Sequence, residues 1–252
     1  MAPTLFPLLL LLILSSLNHL AFADTEKPYP EFTADYNATW TGGWFPINVD
    51  AQRSLRYRKD GSAVLTFAAD SVIAGLEETS TFYFLNTVIQ PLQYQYFRTG
   101  LFKEADRNQL FNWQKKNIIN GDNQKVFEGH WHDQVQDNLS YNLQASIDLK
   151  QGKTQFTYPV FDRKKIKEFK FQIVKFEMLR TQVGNIRTVK VEQIEKRKDK
   201  KKGKKKTYIW FATDYDYLLV RLQQKQKDGQ MYQIDLTAAN INGKTLDKPV
   251  SK

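Results

Sequence analysis

Residues 136–152 read Gln-Asp-Asn-Leu-Ser-Tyr-Asn-Leu-Gln-Ala-Ser-Ile-Asp-Leu-Lys-Gln-Gly. Apolar side chains recur at every fourth position in and just before this stretch, at Val135, Leu139, Leu143 and Ile147. This spacing places them on one side of a helix. Asp137 or Asn138 can accept hydrogen bonds from the first free backbone N–H groups, and Gly152 can adopt the left-handed conformation that ends a helix. The stretch therefore predicts one amphipathic helix.

Most of the remaining chain alternates apolar and polar residues with the period of a β-strand. From residue 31 to residue 40, for example, one face carries Phe32, Ala34, Tyr36, Ala38 and Trp40. Similar segments, including 125–131 after the turn signal Asn120-Gly121, give about 13 predicted strands. A lone amphipathic helix must bury its apolar side. We therefore predict a mainly β fold in which the helix packs on a single curved antiparallel sheet or partly open β-barrel.

The N-terminus has the features of an export signal. An apolar run from Leu5 to Leu14 is followed by Ala21-Phe22-Ala23, whose small residues fit cleavage before Asp24. We predict a signal peptide at residues 1–23 and a single mainly β domain at 24–252, with its core at about 30–240. The alternative is an uncleaved membrane anchor, although the run is shorter than the ~20 residues that a spanning helix usually needs.

The absence of cysteine bears on the compartment. The 252-residue chain contains no cysteine, so an exported form needs no disulfide bonds and cannot be acylated on cysteine. Hydrophobic residues make up 41% of the chain, which is enough for a core without covalent cross-links. Together with the signal peptide, these features predict a soluble protein of a bacterial periplasm.

Positive charge is concentrated in one segment. The net charge is +10, and residues 196–206 alone hold nine Lys or Arg residues and one Asp. Repulsion among the cations opposes compact structure, so a solvated basic hairpin loop is one interpretation. The functional alternative is contact with an anionic membrane, lipopolysaccharide or another polyanion. Nucleic acid fits poorly because no aromatic residue interrupts the run. The residues predicted to make the contact are Lys198, Lys200, Lys201, Lys202, Lys204, Lys205 and Lys206.

Aromatic residues are the other candidate for a binding site. The chain has 17 Phe, 12 Tyr and 5 Trp residues, and ordinary core packing explains most of them. A curved sheet capped by a single helix nevertheless often leaves room for a lipid-sized ligand. The residues predicted to line such a cavity are Trp40, Trp44, Tyr94, Tyr96, Phe111, Trp113 and Trp210.

The common signatures of catalysis and cofactor binding are missing. There is no Gly-x-Ser-x-Gly, no Ser-x-x-Lys and no phosphate-binding glycine loop. His130-Trp131-His132 could present two imidazoles on one face of a strand, but no neighbouring residue completes a metal site. Carboxylate pairs such as Glu77-Glu78 are expected by chance among 27 acidic residues. The sequence predicts no catalytic residue, no metal and no cofactor.

Several short motifs occur in a fixed order along the chain. They are Trp40-Thr41-Gly42, Pro91-Leu92-x-Tyr94, Phe111-Asn112-Trp113, Asp137-x-Leu139-Ser140, Trp210-x-Ala212, Val220-Arg221-Leu222 and Asp228-Gly229. Taken in this order, they resemble an exported proteobacterial family that is catalogued as a domain of unknown function, number 3108. The resemblance covers roughly residues 30–238 and implies a mostly antiparallel β fold in the cell envelope with no established activity. The family often has Asp where Asn112 stands and Pro where Leu219 stands.

Three functional hypotheses remain open at this point. The first is a non-enzymatic periplasmic binding or carrier protein for an apolar or lipid-like ligand, with the basic loop against an anionic envelope surface. The second is a structural or interaction protein of the envelope with a fully packed core. The third is a hydrolase that acts on an envelope polymer. A cavity above about 300 Å³ favours the first hypothesis, and a filled interior favours the second. Clustered acidic residues with a raised pKa in a cleft favour the third.

Overall fold

The computed structural model describes residues 27–41, 46–71, 74–100, 105–127, 129, 131–194, 205–226 and 228–246. Within these ranges it contains fourteen strands and one helix. In chain order they are β1 (Phe32–Thr41), β2 (Ile47–Tyr57), β3 (Ala63–Asp70), β4 (Ala74–Leu85), β5 (Val88–Gly100), β6 (Arg107–Asn112), β7 (Asn117–Asn120), α1 (Ser140–Lys150), β8 (Gln155–Asp162), β9 (Lys165–Thr181), β10 (Gly184–Ile194), β11 (Lys206–Ala212), β12 (Leu218–Lys225), β13 (Met231–Ile241) and β14 (Lys244–Leu246).

All fourteen strands belong to one antiparallel sheet. The order across the sheet is β7-β6-β5-β4-β3-β2-β1-β13-β12-β11-β10-β9-β8, and β14 adds a short hairpin to β13. The chain therefore leaves the sheet at one edge, β7, and returns at the opposite edge, β8. The intervening segment carries α1. The predicted fold class, a single curved antiparallel sheet that is not fully closed, is confirmed.

The two edges approach each other around Gln136. The backbone N–H of Gln136 donates to the Pro159 carbonyl over 2.8 Å, and its carbonyl accepts from the Phe161 N–H over 2.8 Å. The Gln136 side-chain amide donates to the Ile89 carbonyl at the start of β5, also over 2.8 Å. The Phe161 ring meets the Phe111 ring of β6 edge-to-face, with centroids 6.3 Å apart. Side chains and one connecting segment thus close a seam that the sheet leaves open.

The predicted alternation in the first strand is present in the structure. Phe32, Ala34, Tyr36 and Ala38 of β1 are buried, and the residues between them are partly exposed. Tyr36 also donates from its hydroxyl to the Leu219 carbonyl across the interior, over 2.8 Å. The buried hydroxyl has a pKa raised to about 12, mainly because burial disfavours the phenolate.

The helix is shorter and more completely buried than its apolar spacing predicts. It begins at Ser140, so Val135 and Leu139 precede it, although both are buried beside Leu143 and Ile147. Gly152 has a positive φ of 82° just beyond its end, as predicted. Polar helix residues are buried too. The Gln144 side chain accepts from the Ile89 N–H over 2.8 Å and donates to the Thr87 carbonyl over 3.1 Å.

Some details differ from the predictions. No strand forms at 125–131 among the residues described there, and Val126 makes only an isolated bridge to Ile119. The strand count is nevertheless fourteen, because β7 and β14 form in addition to the predicted strands. The short β14 follows a turn at Asn242 and Gly243, two residues with positive φ. The described residues include no helix long and apolar enough to span a membrane. The predicted signal peptide at 1–23 lies outside the described residues.

Candidate functional site

An apolar cavity opens at the end of the sheet that lies away from the helix. Its volume is about 260 Å³. The helix meets the β4–β5 turn through Gln144, whereas the cavity lies at the other end of this hairpin, where β4 begins and β5 ends. Trp40 of β1 stands between its strand partners Ile47 and Tyr232 and forms one wall. The lining is Ala38, Trp40, Ile47, Val49, Ala69, Ser71, Gly75, Leu76, Arg98 and Tyr232.

A polar cleft of about 430 Å³ adjoins this cavity. It runs along the open seam, between β5 and β6 on one side and the β8–β9 turn on the other. Successive inward residues connect the two spaces, because Leu76 lines the cavity and Glu78, two positions further along β4, lines the cleft. The cleft is lined by Glu78, Tyr94, Tyr96, Arg107, Asn138, Asp162, Arg163 and Lys167.

Glu78 is the acidic group on the floor of the cleft. Its pKa is raised to about 7, first by burial and then by the nearby charge of Asp137, while Arg107 acts in the opposite direction. The Tyr94 hydroxyl approaches the Glu78 carboxyl closely enough to favour its ionised form, yet it makes no hydrogen bond of good geometry. The pKa of Tyr94 is itself raised, first by burial and then by the charges of Glu78 and Asp137. Near neutral pH the cleft therefore holds a carboxyl that is partly protonated.

Asp137 lies beneath the cleft and fixes the start of the helix. Its carboxylate accepts from the backbone N–H groups of Leu139 and Ser140, over 2.8 and 2.7 Å, and from the Ser80 hydroxyl over 2.5 Å. The Ser140 hydroxyl in turn accepts from the Asp137 N–H over 3.0 Å. Asp137 is the capping residue that its position predicted, and it also ties the helix to β4. Burial raises the pKa of Asp137, and these hydrogen bonds oppose that effect.

The structure separates the aromatic residues predicted to line one cavity. Trp40 lines the apolar cavity, and Tyr94 and Tyr96 line the polar cleft. Phe111 packs at the seam, and the Trp113 indole donates to the Pro91 carbonyl over 2.6 Å. Trp44 lies outside the described residues.

Trp210 faces away from the other predicted aromatic residues. It points to the opposite face of β11 from the inward Ile209, and its indole donates to Glu177 over 2.9 Å beneath the ammonium group of Lys190. The alternation of the sequence predicted the strand that contains Trp210, but not which face of that strand would point to the interior.

Only two of the seven lysines predicted to contact an anionic surface are among the described residues. Lys198, Lys200, Lys201, Lys202 and Lys204 lie outside the described residues, whereas Lys205 and Lys206 lie within them. The strands on either side of this basic segment are β10, which ends at Ile194, and β11, which begins at Lys206. Strand pairing places Lys206 opposite Lys225, Lys225 opposite Met231, and Met231 opposite Thr41. Ile194 and Lys206 therefore lie at the same end of the sheet as the apolar cavity.

The charged residues of the cleft are not among those predicted from the sequence. Glu78 is an inward residue of β4, between Leu76 and Ser80, and its position in that alternation is the signal that could have identified it. Arg107 and Arg163 carry no such signal, because a seam between distant segments brings them together. His132 accepts from the Gln134 N–H over 3.1 Å, and the described residues contain no group of three metal-ligating side chains.

Comparison with known proteins places the chain among proteins without assigned function. The family model described as a protein of unknown function (DUF3108) matches residues 32–237. No curated protein matches the chain significantly. A β-barrel-like protein of domain family DUF1849 from Brucella abortus is similar in structure with a TM-score of 0.54, at 9% sequence identity over 84% of this chain and 98% of that chain. This similarity shows a shared fold alone.

Two further structures have lower TM-scores. A DUF1329 family protein from Desulfovibrio piger ATCC 29098 has a TM-score of 0.28, at 11% identity over 91% of this chain and 88% of that chain. A Vibrio parahaemolyticus domain assigned provisionally to outer membrane lipoprotein sorting has a TM-score of 0.24, at 12% identity over 86% of each chain. At these scores neither structure carries an argument about fold or function.

Proposed function

We propose that this chain, which belongs to the DUF3108 family of proteins of unknown function, is an exported binding or carrier protein for an apolar or lipid-like molecule. The apolar cavity at the open end of the sheet carries the proposal. Binding sites for small apolar molecules are concave, lined mainly by aliphatic and aromatic side chains, and contain few polar groups. The cavity has this character, with Trp40, Val49 and Leu76 among its walls and Arg98 as the one charged residue in the described part of its lining.

The volume sets a limit on what the cavity holds. At about 260 Å³ it accommodates a segment of an alkyl chain, while the rest of a larger molecule would project toward solvent or into the adjoining cleft. A fully packed interior, which the structural-protein hypothesis requires, leaves no such space. This volume is below the ~300 Å³ expected of a ligand pocket, so the support for the binding hypothesis comes from the cavity together with the adjoining cleft of about 430 Å³.

The location and the basic segment belong to the same proposal. The apolar run and the Ala21-Phe22-Ala23 site support export to the periplasm. The described residues nearest the two ends of the basic segment 196–206, Ile194 and Lys205, lie at the cavity end of the sheet. Each cation of the segment contributes roughly 1 kcal/mol near an anionic surface, and salt weakens the attraction. We infer that the segment brings the cavity opening to an anionic envelope surface.

Filling the cavity tests the binding proposal. Ala69 lines the cavity, whereas Ala68 is exposed on the opposite face of β3. We expect the wild-type protein to bind the uncharged fluorescent probe N-phenyl-1-naphthylamine. The Ala69→Phe variant should lose most of that binding, and Ala68→Phe should retain it. Native mass spectrometry of protein from its own host should detect a retained lipid in the wild type only. Absence of probe binding to the folded wild type would refute the proposal.

Vesicle binding tests the basic segment separately. Replacement of Lys198, Lys200, Lys201 and Lys202 by Gln should abolish sedimentation with phosphatidylglycerol vesicles at low salt and leave probe binding in the cavity unchanged. Phosphatidylcholine vesicles serve as the uncharged control. Equal sedimentation of the variant and the wild type with phosphatidylglycerol would show that the segment does not make the contact.

A second candidate function rests on Glu78. A carboxyl with a pKa near 7 in an open cleft is suited to general acid or base catalysis, which favours a hydrolase. Glycoside hydrolysis normally needs two carboxyl groups that reach the substrate. Asp137 is fully buried, and its carboxylate is held by two backbone N–H groups and a serine hydroxyl. The carboxyl groups that line the cleft are Glu78 and Asp162, and Asp162 is already paired with Lys167. Glu78→Gln should abolish any polymer hydrolysis by this protein, and retained hydrolysis would exclude Glu78 as its catalyst.

A further inference from the structure

The polar cleft and the apolar cavity form two parts of one interior surface. Along β5, Arg98 lines the cavity and Tyr96, the neighbouring inward residue, lines the cleft. The charge of Glu78 in the cleft contributes to raising the pKa of Tyr232 in the cavity, to about 12, after the larger effect of burial. A molecule with an apolar chain and a polar head can therefore place one part in each space.

The walls of the cleft carry positive charge. Arg107, Arg163 and Lys167 all line it, and Lys167 forms an ion pair with Asp162. The guanidinium group of Arg107 lies 4.0 Å from the centre of the Tyr96 ring, which holds it along the β5–β6 wall. Arg107 and Arg163 also line an adjoining cleft of about 520 Å³. Planar guanidinium groups match the paired oxygen atoms of carboxylates and phosphates.

The floor of the cleft offers hydrogen-bond donors. The Tyr94 hydroxyl and the Asn138 side-chain Nδ2 are buried, and neither makes a hydrogen bond of good geometry within the protein. A buried donor without a partner costs free energy, which an acceptor on a ligand would recover. Both groups therefore suit a ligand rich in oxygen acceptors.

We propose that the polar cleft binds the anionic head group, a carboxylate or a phosphate, of an amphiphile whose chain occupies the apolar cavity. This inference rests on the proposed function and narrows it to a class of ligand. Arg107 and Arg163 neutralise the head group, Tyr94 and Asn138 donate to it, and the cavity beyond Leu76 takes the start of the chain.

The experiment compares three probes on the full folded chain. Oleoyl lysophosphatidic acid has an acyl chain and an anionic phosphate head group. Monoolein has the same acyl chain without charge, and inorganic phosphate has the charge without the chain. Isothermal titration should show lysophosphatidic acid binding at least about tenfold more tightly than monoolein, as expected for hydrogen bonds to a charged group. Inorganic phosphate alone should bind far more weakly than either lipid.

Three variants test which residues cause the preference for lysophosphatidic acid over monoolein. The double variant Arg107→Met, Arg163→Met should bind both lipids equally, with the affinity that the wild-type protein has for monoolein. Tyr94→Phe keeps the ring and removes one donor, so it should reduce lysophosphatidic acid binding severalfold and leave monoolein binding unchanged. Arg187→Met is the matched control, because Arg187 is exposed on β10 and paired with Asp214. It should change neither affinity.

The outcomes distinguish this inference from the proposed function. Equal binding of the two lipids, or a preference that survives the double variant, would overturn the anionic-head inference while the cavity retained its lipid. Phosphate binding as tight as that of lysophosphatidic acid would show a free-anion site and overturn the link to an amphiphile. If neither lipid binds, the proposed function itself fails.

Discussion

At the scale of single residues, Glu78 is an acidic group whose pKa is set by its place in the fold. It faces inward on β4, where burial and then the charge of Asp137 raise its pKa and Arg107, Tyr94 and Arg53 lower it, leaving a value of about 7. The folded protein therefore keeps a proton that the unfolded chain releases near pH 4.5. Stability should then fall as the pH rises from that value through 7, because the unfolded state binds fewer protons over this range.

Replacing Glu78 should remove this fall in stability with rising pH. We expect Glu78→Gln to be more stable than the wild type by about 1 to 3 kcal/mol at pH 8 and to differ little from it at pH 4. Urea denaturation at the two pH values measures the difference. Glu77→Gln is the matched control, because Glu77 is the adjacent residue and is exposed on the outer face. Parallel pH profiles for the wild type and Glu78→Gln would contradict the predicted cause.

Asp137 shows what sequence can and cannot predict for one residue. Its position before an apolar run predicted a helix cap, and the cap is present. The hydrogen bond from Ser80 joins residues 57 positions apart, and no local pattern indicates it. The same limit applies to Glu78, because its raised pKa depends on neighbours that only the fold brings near.

Loss of the Asp137 carboxylate should destabilise the helix start and its link to β4. We expect Asp137→Ala to reduce the free energy of unfolding by about 1 to 3 kcal/mol, since two backbone N–H groups and one buried hydroxyl lose their acceptor. Chemical denaturation measures the change. Asn138→Ala provides the comparison, because the Asn138 Nδ2 has no partner to lose. Equal losses in both variants would show that the cap is not the cause.

At the scale of elements, β9 shows where strand periodicity fails. Phe169, Phe171 and Ile173 alternate as predicted, but Lys190 pairs with Lys175 and Val191 with Ile173, so Val174 is left as an extra residue. This bulge shifts the alternation, and Phe176 then shares a face with Ile173. Beyond residue 172 the strand also lacks a partner on its outer side, because β8 pairs only with its first half. Pairing of this kind depends on strands elsewhere in the sequence.

Two phenylalanines of β9 should therefore differ sharply in their contribution to stability. Phe171 is 2% exposed and stacks on Phe156 with centroids 5.6 Å apart, whereas Phe176 is 67% exposed. We expect Phe171→Ala to cost about 3 to 5 kcal/mol and Phe176→Ala less than about 0.5 kcal/mol. Urea denaturation of both variants tests this. Similar losses would mean that the exposed half of β9 is covered in solution.

At the scale of the whole molecule, the helix is the feature from which the architecture could be predicted. One helix among strands of period two implied a curved sheet around it, and the sheet order confirms that architecture. The seam between β6 and β8 could not be predicted from the sequence, because it depends on which two edges of the sheet approach each other. The charged cleft lies at this seam, which explains why the predicted aromatic lining included Tyr94 and Tyr96 but none of the cations beside them.

The same arrangement predicts that the chain unfolds as one unit. β1 and β13 join the two halves of the sheet through pairing that runs from Phe32 with Ile241 to Thr41 with Met231, with one bulge where Asp35 is followed by Tyr36. The helix contacts both halves, since Gln144 bonds to the β4–β5 turn and Asp148 accepts from Tyr158 of β8 over 2.7 Å. Melting either half alone would expose the buried helix to water, so neither half should persist without the other.

Single-tryptophan variants can test this cooperativity. One variant keeps only Trp113, beside the β6–β7 turn, and another keeps only Trp210 in β11, with the remaining tryptophans replaced by Phe. The fluorescence of each should change at the same temperature as the far-ultraviolet circular dichroism of that variant, because a two-state transition gives coincident curves for every probe. A Trp113 signal that changes before the circular dichroism, together with a Trp210 signal that changes after it, would instead divide the chain into two independently stable parts. The helix would then belong to only one of them.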